Sequence, residues 1–395
     1  MLSLEQARAA ILQRIRPARA TETVPLAQAR GRFVAEALAA RVDHPGFDNS
    51  AMDGYAVSVA DLARAGFRLP RAGESRAGTA PAALAPGSCM RIYTGAPLPA
   101  GADAVVIQED VTLADGAIIF PRDVRPGSHI RRRGEDFRAG EALYARGRRL
   151  GAYDLALLAT AGIAQVGVYA RARVLVVATG DELVAPGTEL APGQIYESNR
   201  LATLAQLQDL GVDAVDGGMV PDDPAPLRAL LERSRDYDFI ITSGGASVGD
   251  FDVVKQVFSA LGEIAFWKTS IKPGKPIAFG HLGSRTHFFA LPGNPVSSLV
   301  TYKLFVEPAL VAWHHAEPRE WLLTATAANA FRRHPGRTEF LRARLYTEND
   351  RLMAEALKGQ GSHMIGPVRH TNGFIRVEAE SAGFAAGDSV RVVLL

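Results

Sequence analysis

A run of β-branched and aromatic residues, Phe239-Ile240-Ile241-Thr242, gives way at Ser243 to Gly244-Gly245-Ala246-Ser247-Val248-Gly249-Asp250. Apolar residues then recur at helical spacing, as Phe251, Val254, Val257, Phe258 and Leu261. A strand, a glycine turn and an amphipathic helix in that order predict the βα corner of an α/β sheet. At such a corner the backbone N–H groups of the helix start face anions, and ligands gather at the carboxyl ends of the strands. A plain βα connection would carry the same pattern, so the neighbouring stretches decide.

From Arg173 onward, strand and helix patterns alternate. Strands are expected around 174–178, 212–220, 239–242, 264–267, 277–279 and 287–291, and helices around 199–210, 224–234, 251–261 and 295–313. This predicts a doubly wound, mainly parallel sheet with right-handed crossovers over 173–318. Ahead of it, Ser3-Leu4-Glu5-Gln6 reads as a capping box opening a helix with Leu4, Ala7, Ile11, Leu12 and Ile15 on one face. A second helix is expected over 27–38. Between 43 and 138, short β-type runs are punctuated by turns such as Pro86-Gly87 and Pro126-Gly127, which predicts an inserted β-rich lid module. Segments 1–42 and 139–172 flank it as an N-terminal helical and linker domain. A polar join, His314-His315-Ala316-Glu317-Pro318-Arg319, closes the α/β part. Residues 319–395 alternate apolar and polar in short runs, predicting a small antiparallel β domain.

A chain of 395 residues holds two to four such domains. Its 44 Lys and Arg balance 42 Asp and Glu, so no global charge points to nucleic acid or a membrane surface. One cysteine, Cys89, can form neither an internal disulfide nor a Cys-rich metal site, which suits a reducing cytoplasm. The stretch 1–15 carries Glu5, Gln6 and Arg8 where a signal peptide needs an apolar core, and no long apolar run occurs elsewhere. A cytoplasmic protein is expected, with neither nucleic acid nor membrane as partner.

Four stretches concentrate turn residues and charge around the α/β part. They are Thr179-Gly180-Asp181-Glu182, Pro221-Asp222-Asp223-Pro224, the glycine turn ending near Asp250 and Asp252, and Lys272-Pro273-Gly274-Lys275-Pro276. Downstream follows Leu291-Pro292-Gly293-Asn294-Pro295-Val296-Ser297-Ser298. Strand ends of a parallel sheet share one rim, so these stretches can converge. The carboxylates suit Mg²⁺, which takes oxygen ligands and bridges to phosphates, or they serve as helix N-caps at Asp222 and Asp250. Lys272 and Lys275 offer fixed positive charge to an oxyanion, or form a solvated loop. Gly245-Ala246-Ser247-Val248-Gly249 also matches the G-x-S-x-G nucleophile elbow, with His281 or His287 as a base, which would make a serine hydrolase.

The motifs together resemble the molybdopterin molybdenumtransferase family of molybdenum-cofactor biosynthesis (the MoeA and gephyrin E-domain architecture). The resemblance rests on Asp48-Asn49-Ser50-Ala51-Met52-Asp53-Gly54-Tyr55-Ala56, Tyr93-Thr94-Gly95-Ala96-Pro97-Leu98-Pro99-Ala100-Gly101-Ala102-Asp103, Arg133-Gly134-Glu135-Asp136, Gly180-Asp181-Glu182-Leu183, the glycine turn, the Lys272–Pro276 stretch and the Leu291–Ser298 stretch. It implies a central molybdopterin-binding α/β domain, a C-terminal barrel-like β domain, and insertion of molybdenum from molybdate into adenylylated molybdopterin with Mg²⁺-assisted release of AMP. It further implies Asp222 and Asp252 as metal ligands. Asp53, Thr94, Asp136, Glu182, Asp252, Lys268, Lys272 and Lys275 become catalytic candidates. Gly180, Asp181, Glu182, Ser243, Gly244, Gly245, Ser247, Gly249, Pro276, Pro292, Asn294, Ser297, Arg337, Arg342 and Ser362 become substrate contacts. A homodimer is implied, with the lid residues reaching over the partner's α/β domain. Residues 363–368 (His363-Met364-Ile365-Gly366-Pro367-Val368) depart from the small polar residues usual in the family. The competing readings are the Ser247 hydrolase, a molybdopterin adenylyltransferase, and a non-catalytic scaffold of the gephyrin kind.

Overall fold

A computed structural model of the chain describes residues 1–80, 82–244, 253–283, 285–318 and 322–395. Its centre is a six-stranded sheet of β1 (Arg173–Thr179), β2 (Asp213–Val220), β3 (Phe239–Ser243), β4 (Gly262–Phe266), β5 (Ala278–Leu282) and β6 (Thr286–Leu291), in the order β2-β1-β3-β6-β5-β4. Strands β2, β1, β3 and β6 run parallel, while β5 is antiparallel to both of its neighbours, so the sheet is mixed. Every residue of β3, β5 and β6 is buried, as strands covered on both faces of a sheet require. One face packs Val174, Val176, Phe239, Ile241 and Phe289 beneath the helical run 295–313, and the other packs Leu175, Val177, Ile240 and Phe288 beneath the helices Pro224–Leu231 and Val253–Leu261.

The N-terminal helix Leu4–Leu12 opens with the capping box: Gln6 N donates to Ser3 Oγ at 3.1 Å and Ser3 N to Gln6 Oε1 at 2.9 Å. Its Leu4, Ala7 and Ile11 enter the α/β core rather than a core of their own N-terminal segment. The helix expected over 27–38 does not form. A 3-10 turn, Leu26–Gln28, is followed by Gly31 at φ +76, and then Phe33 and Val34 bridge Arg149 and Val168 as extended chain. Gly31 ends any helix there, and the apolar pair is used in sheet pairing. The flanking segments are stitched by Thr21–Pro25 against Gln165–Tyr169 and Leu38–Ala39 against Ala142–Tyr144.

Between those stitches lies the lid, a six-stranded sheet with Gly54–Val57 between Ala104–Ile107 and Cys89–Ile92. Cys89 is fully buried there, and burial pushes its thiol up to about 11. The stretch 314–318 is not a solvated join. His314 is buried and stacks on Phe33, while His315 stacks on Tyr169 and contacts Ala18 O, so the imidazoles dock the α/β domain onto the N-terminal segment.

The C-terminal strands Leu322–Ala327, Thr338–Glu348, Arg351–Ala356, Gly373–Val377 and Ser389–Leu394 close into a barrel. The pairing of Thr338–Glu348 with Gly373–Val377 completes the ring. Contrary to the all-antiparallel expectation, Leu322–Ala327 and Arg351–Ala356 run parallel. A two-residue strand of the α/β domain, Ile271–Lys272, adds to this barrel beside Thr338 and Glu339. That addition fixes the Lys272–Pro276 loop against the barrel.

Candidate functional site

The chain passes from β1 to β2 on one side and from there to β3 on the other. The carboxyl ends of β1 and β3 therefore flank the point where strand order reverses, which opens a crevice in any doubly wound sheet. A cavity of about 800 Å³ occupies that crevice. Thr179 and Gly180 at the end of β1, Ser243 and Gly244 at the end of β3, and Asp222 just past β2 line it. Gly244 has φ +96, and a Cβ there would sit 2.3 Å from Thr179 O, so only glycine lets β1 and β3 end this close together.

The floor holds orphaned polar atoms. Thr179 Oγ1 and Ser243 Oγ are buried and meet no hydrogen-bond partner among the described residues. Buried hydroxyls left unpaired in a crevice suit a ligand that supplies their partners. The helix Asn199–Leu210 begins at the same opening, with Ser198 and Asn199 on the wall, and Asn199 Nδ2 donates to Gly293 O at 2.7 Å. Its positive dipole end favours an anionic ligand.

The acidic side of the rim is built by β1 and β2 together. Asp222 N donates to Asp181 Oδ1 at 3.0 Å, and Glu182 shares the cavity wall with Asp222. Burial, then the charges of Asp181 and Glu182, hold the Asp222 carboxyl above its ordinary value, with a backbone hydrogen bond at Asp181 opposing them. Helix capping does not explain this carboxyl: the helix Pro224–Leu231 is capped by Asp223, which accepts from Ala225 N at 2.8 Å. Carboxylates crowded without a cation fit a divalent ion, although no group of three or more metal-ligating side chains occurs among the described residues. Asp252 lies outside the described residues, as do Gly245, Ser247, Gly249 and Asp250.

The raised carboxyl has a pH signature. The native state holds the Asp222 proton more tightly than the unfolded chain does, so stability falls as pH rises from the unfolded value through the folded one, and the penalty is complete at neutral pH. Asp222→Asn removes the cost of the buried charge and its repulsion by Asp181 and Glu182. Without added metal, the variant is expected to unfold at a higher temperature than the parent at about pH 7, with the gain gone near pH 3. Thermal unfolding at the two pH values checks this; equal midpoints at pH 7 would show that the charged carboxyl carries no penalty at the rim.

The two loop lysines have different environments. Lys272 Nζ lies 2.9 Å from Glu339 Oε1, and Arg333 Nη1 lies 3.2 Å from the other oxygen of the same buried carboxylate. Lys272 is therefore tied to the barrel rather than held free for an oxyanion. Lys275 is exposed, forms no ion pair among the described residues, and precedes Pro276 on the cavity wall. Gly274 holds this loop at φ +110, where a Cβ would strike Thr301 Cγ2 at 2.5 Å. Arg337 joins the same corner by donating from Nη1 to Ile271 O at 3.1 Å. Lys268 is exposed three residues before Ile271.

Pro292 and Asn294 line the cavity, and Ser297 is buried in the first turns of the following helix. Ser362 O accepts from Val296 N at 3.1 Å, which places the barrel loop beside that helix start. Arg342 lines a different cavity and holds Gly361 O at 3.1 Å. The lid candidates do not line the crevice. Asp53 Oδ1 accepts from Thr94 N at 2.7 Å and Thr94 Oγ1 at 2.8 Å, and these bonds hold the Asp53 carboxyl below its ordinary range. Asp136 borders a separate depression with His44 and Gly95.

Sequence reading singled out the stretch that Thr179 opens without giving Thr179 a role, and it missed Tyr196, Ser198 and Asn199 and gave no role to His363 and Ile365 on the cavity wall. Strand-end position marks Thr179 and helix-start position marks Asn199. His363 and Ile365 stood out only as part of the atypical stretch 363–368, and the barrel delivers them from its own domain. The hydrolase reading loses its base. Phe239 pairs with His287 and Ser243 with Leu291, so His287, with His281 beside it, lies four residues, about 13 Å, from the rim end of β3. Burial also drives the His287 imidazole down to about 3, keeping it neutral.

Comparison with known proteins covers nearly the whole chain. Residues 2–162 match the MoeA N-terminal region (domain I and II), 175–312 a probable molybdopterin binding domain, and 324–395 the MoeA C-terminal region (domain IV). The chain is 40% identical to a molybdopterin molybdenumtransferase of Haemophilus influenzae across 99% of its own length and 98% of that protein. It is 37% identical to molybdopterin molybdenumtransferase 2 of Mycobacterium tuberculosis, covering 94% of each chain. Its fold superposes with a TM-score of 0.85 on the crystal structure of the molybdopterin biosynthesis MoeA protein of Pyrococcus horikoshii, at 29% identity and full coverage of both chains.

Proposed function

This chain belongs to the molybdopterin molybdenumtransferase family, an enzyme family of molybdenum-cofactor biosynthesis, and from that premise we propose that its switch-point crevice binds adenylylated molybdopterin and molybdate and releases AMP as the metal is inserted. The observation that carries this reading is the crevice itself. Buried hydroxyls at its floor, without partners among the described residues, crowded carboxylates at the ends of β1 and β2, and Pro276, which follows a lysine with no ion pair among the described residues, line one cavity.

Thr179 and Ser243 donate to the anionic substrate in the crevice, and the start of the helix Asn199–Leu210 adds favourable field. Asp222 and Asp252 would hold Mg²⁺, which would supply charge neutralisation at the phosphoryl oxygens. Glu182 contacts the substrate from the same wall. Lys275 faces the molybdate dianion, because its charge is not taken by a carboxylate of its own chain among the described residues. The sulfurs that receive the metal belong to the pterin. Cys89, buried in the lid with its thiol pushed up to about 11, does not compete for it.

Asp53, Thr94 and Asp136 serve the reaction from the lid of a second copy in a homodimer, since in their own chain they do not line the crevice. No helix among the described residues is long and apolar enough to cross a membrane, and the lone buried thiol suits the cytoplasm as the site of action. The adenylyltransferase reading would leave the matched N-terminal and C-terminal regions without a task. Incubating the protein with adenylylated molybdopterin distinguishes what remains: AMP should appear only when Mg²⁺ and molybdate are both present. Release without molybdate would mark a simple hydrolase, and no release under any condition would mark a scaffold.

A further inference from the structure

The crevice is short of positive charge for an anionic nucleotide. Three carboxylates line it, Glu182, Glu197 and Asp222, and no lysine or arginine does among the described residues. Glu197 is offset from the adjoining helix: its Oε1 accepts from Arg200 N at 2.6 Å, and its Oε2 lies 3.5 Å from Arg200 Nε. Glu182 and Asp222 form no ion pair among the described residues, and Asp181 adds its charge beside them. Lys275 stands one residue outside the wall, before Pro276. On the wall itself, the one side chain among the described residues that can become a cation is His363, brought in from the barrel.

The loop that carries His363 is built to hold it there. Ser362 O accepts from Val296 N at 3.1 Å, which pins the preceding residue to the helix that starts at Pro295. Met364 N donates to Gly361 O at 3.0 Å, and Arg342 Nη2 donates to the same carbonyl at 3.1 Å. A Cβ on Gly361 would sit 2.9 Å from His363 Cε1, so the imidazole packs against the main chain of that glycine and a side chain there would displace it. The ring is exposed to the crevice and makes no hydrogen bond or ion pair among the described residues. Its donors are therefore open to a ligand.

We propose that His363 is a substrate contact of this enzyme, its imidazolium donating to a phosphoryl oxygen of the nucleotide from the barrel side of the crevice. The proposal rests on the reading of the crevice as the nucleotide site. A phosphoryl group facing Glu182 and Asp222 meets like charge from the α/β side, and a charge-assisted hydrogen bond from the barrel offsets it. Histidine is the side chain whose charge ordinarily changes between about pH 5 and 8, so this contact strengthens nucleotide binding on the acid side of neutrality.

Calorimetric titration of the full chain with AMP, in saturating Mg²⁺ at about pH 6 and pH 8, tests this. The AMP phosphate also titrates near pH 6, but identically for every variant, so the ratio of parent to variant affinity isolates the side chain. His363→Ser is expected to weaken AMP binding by about tenfold at pH 6 and by less than about twofold at pH 8. His363→Lys, which stays charged at both values, should bind AMP more tightly than His363→Ser at both. Parent-like binding by His363→Phe, or an equal loss in His363→Ser at both pH values, would make the ring rather than its charge the contact and overturn the assignment. Equal affinity of the parent and His363→Ser at pH 6 would remove His363 from the site while leaving the crevice as the nucleotide site. A parent that binds no AMP up to about 10 mM would overturn that reading of the crevice, and the His363 contact with it.

Discussion

Lys275→Ala is expected to lower molybdate-dependent AMP release by about 10²–10³-fold, the cost typical of deleting a fixed charge or donor aimed at an oxyanion. The side chain is exposed and forms no ion pair among the described residues, so its removal costs the fold little. Its position is nevertheless built: Gly274 accepts no side chain, Thr269 N donates to Lys275 O at 3.0 Å, and Pro276 lies on the cavity wall. A positive charge held by so much backbone constraint and met by no carboxylate among the described residues is poised for a ligand. Steady-state AMP release, alongside an unchanged thermal midpoint, checks the prediction. Activity within about twofold of the parent would remove Lys275 from the site.

Glu339→Gln is expected to destabilise the barrel by about 3 kcal/mol, a large loss for one isosteric change. The Glu339 side chain is 3% exposed and lies between Arg333, itself 6% exposed, and Lys272. Neutralising the carboxylate leaves Arg333 buried with carbonyl partners but no counter-ion. The Lys272 half of the network contributes less, because that side chain is half exposed and solvent screens it. Lys272→Ala should accordingly cost under about 1 kcal/mol. Urea unfolding followed by a signal from the barrel measures both. A Glu339→Gln variant as stable as the parent would show that the buried Arg333–Glu339 pair carries no weight.

These two residues also mark where sequence reading stops. The strands of the central sheet were legible because fully buried parallel strands read as unbroken apolar runs, β3 above all. The rim was legible because glycines and acids fall at strand ends, and parallel strands must end together. Ser3 and Gln6 announced the first helix through a local hydrogen-bond pattern that tertiary structure left intact. The contact of Lys272 with Glu339 was not legible. It arises when Ile271–Lys272 leaves the α/β domain to join a barrel strand distant in sequence, and no local pattern encodes such a pairing. His363 and Ile365 reach the crevice for the same reason. His314 looked like linker polarity, whereas its ring is buried on Phe33 with Nδ1 against Leu310 O at 2.8 Å. Composition cannot separate a solvated histidine from a docked one.

The central claim is that a single rim holds the pterin nucleotide, the cation and the oxyanion together, so that cleavage of the nucleotide and capture of the metal are one event. Counting pterin-bound molybdenum against AMP in the same reaction measures that coupling directly. A one-to-one ratio is expected, with both products lost together in Lys275→Ala. AMP accumulating without bound molybdenum, or molybdenum bound without AMP, would contradict it.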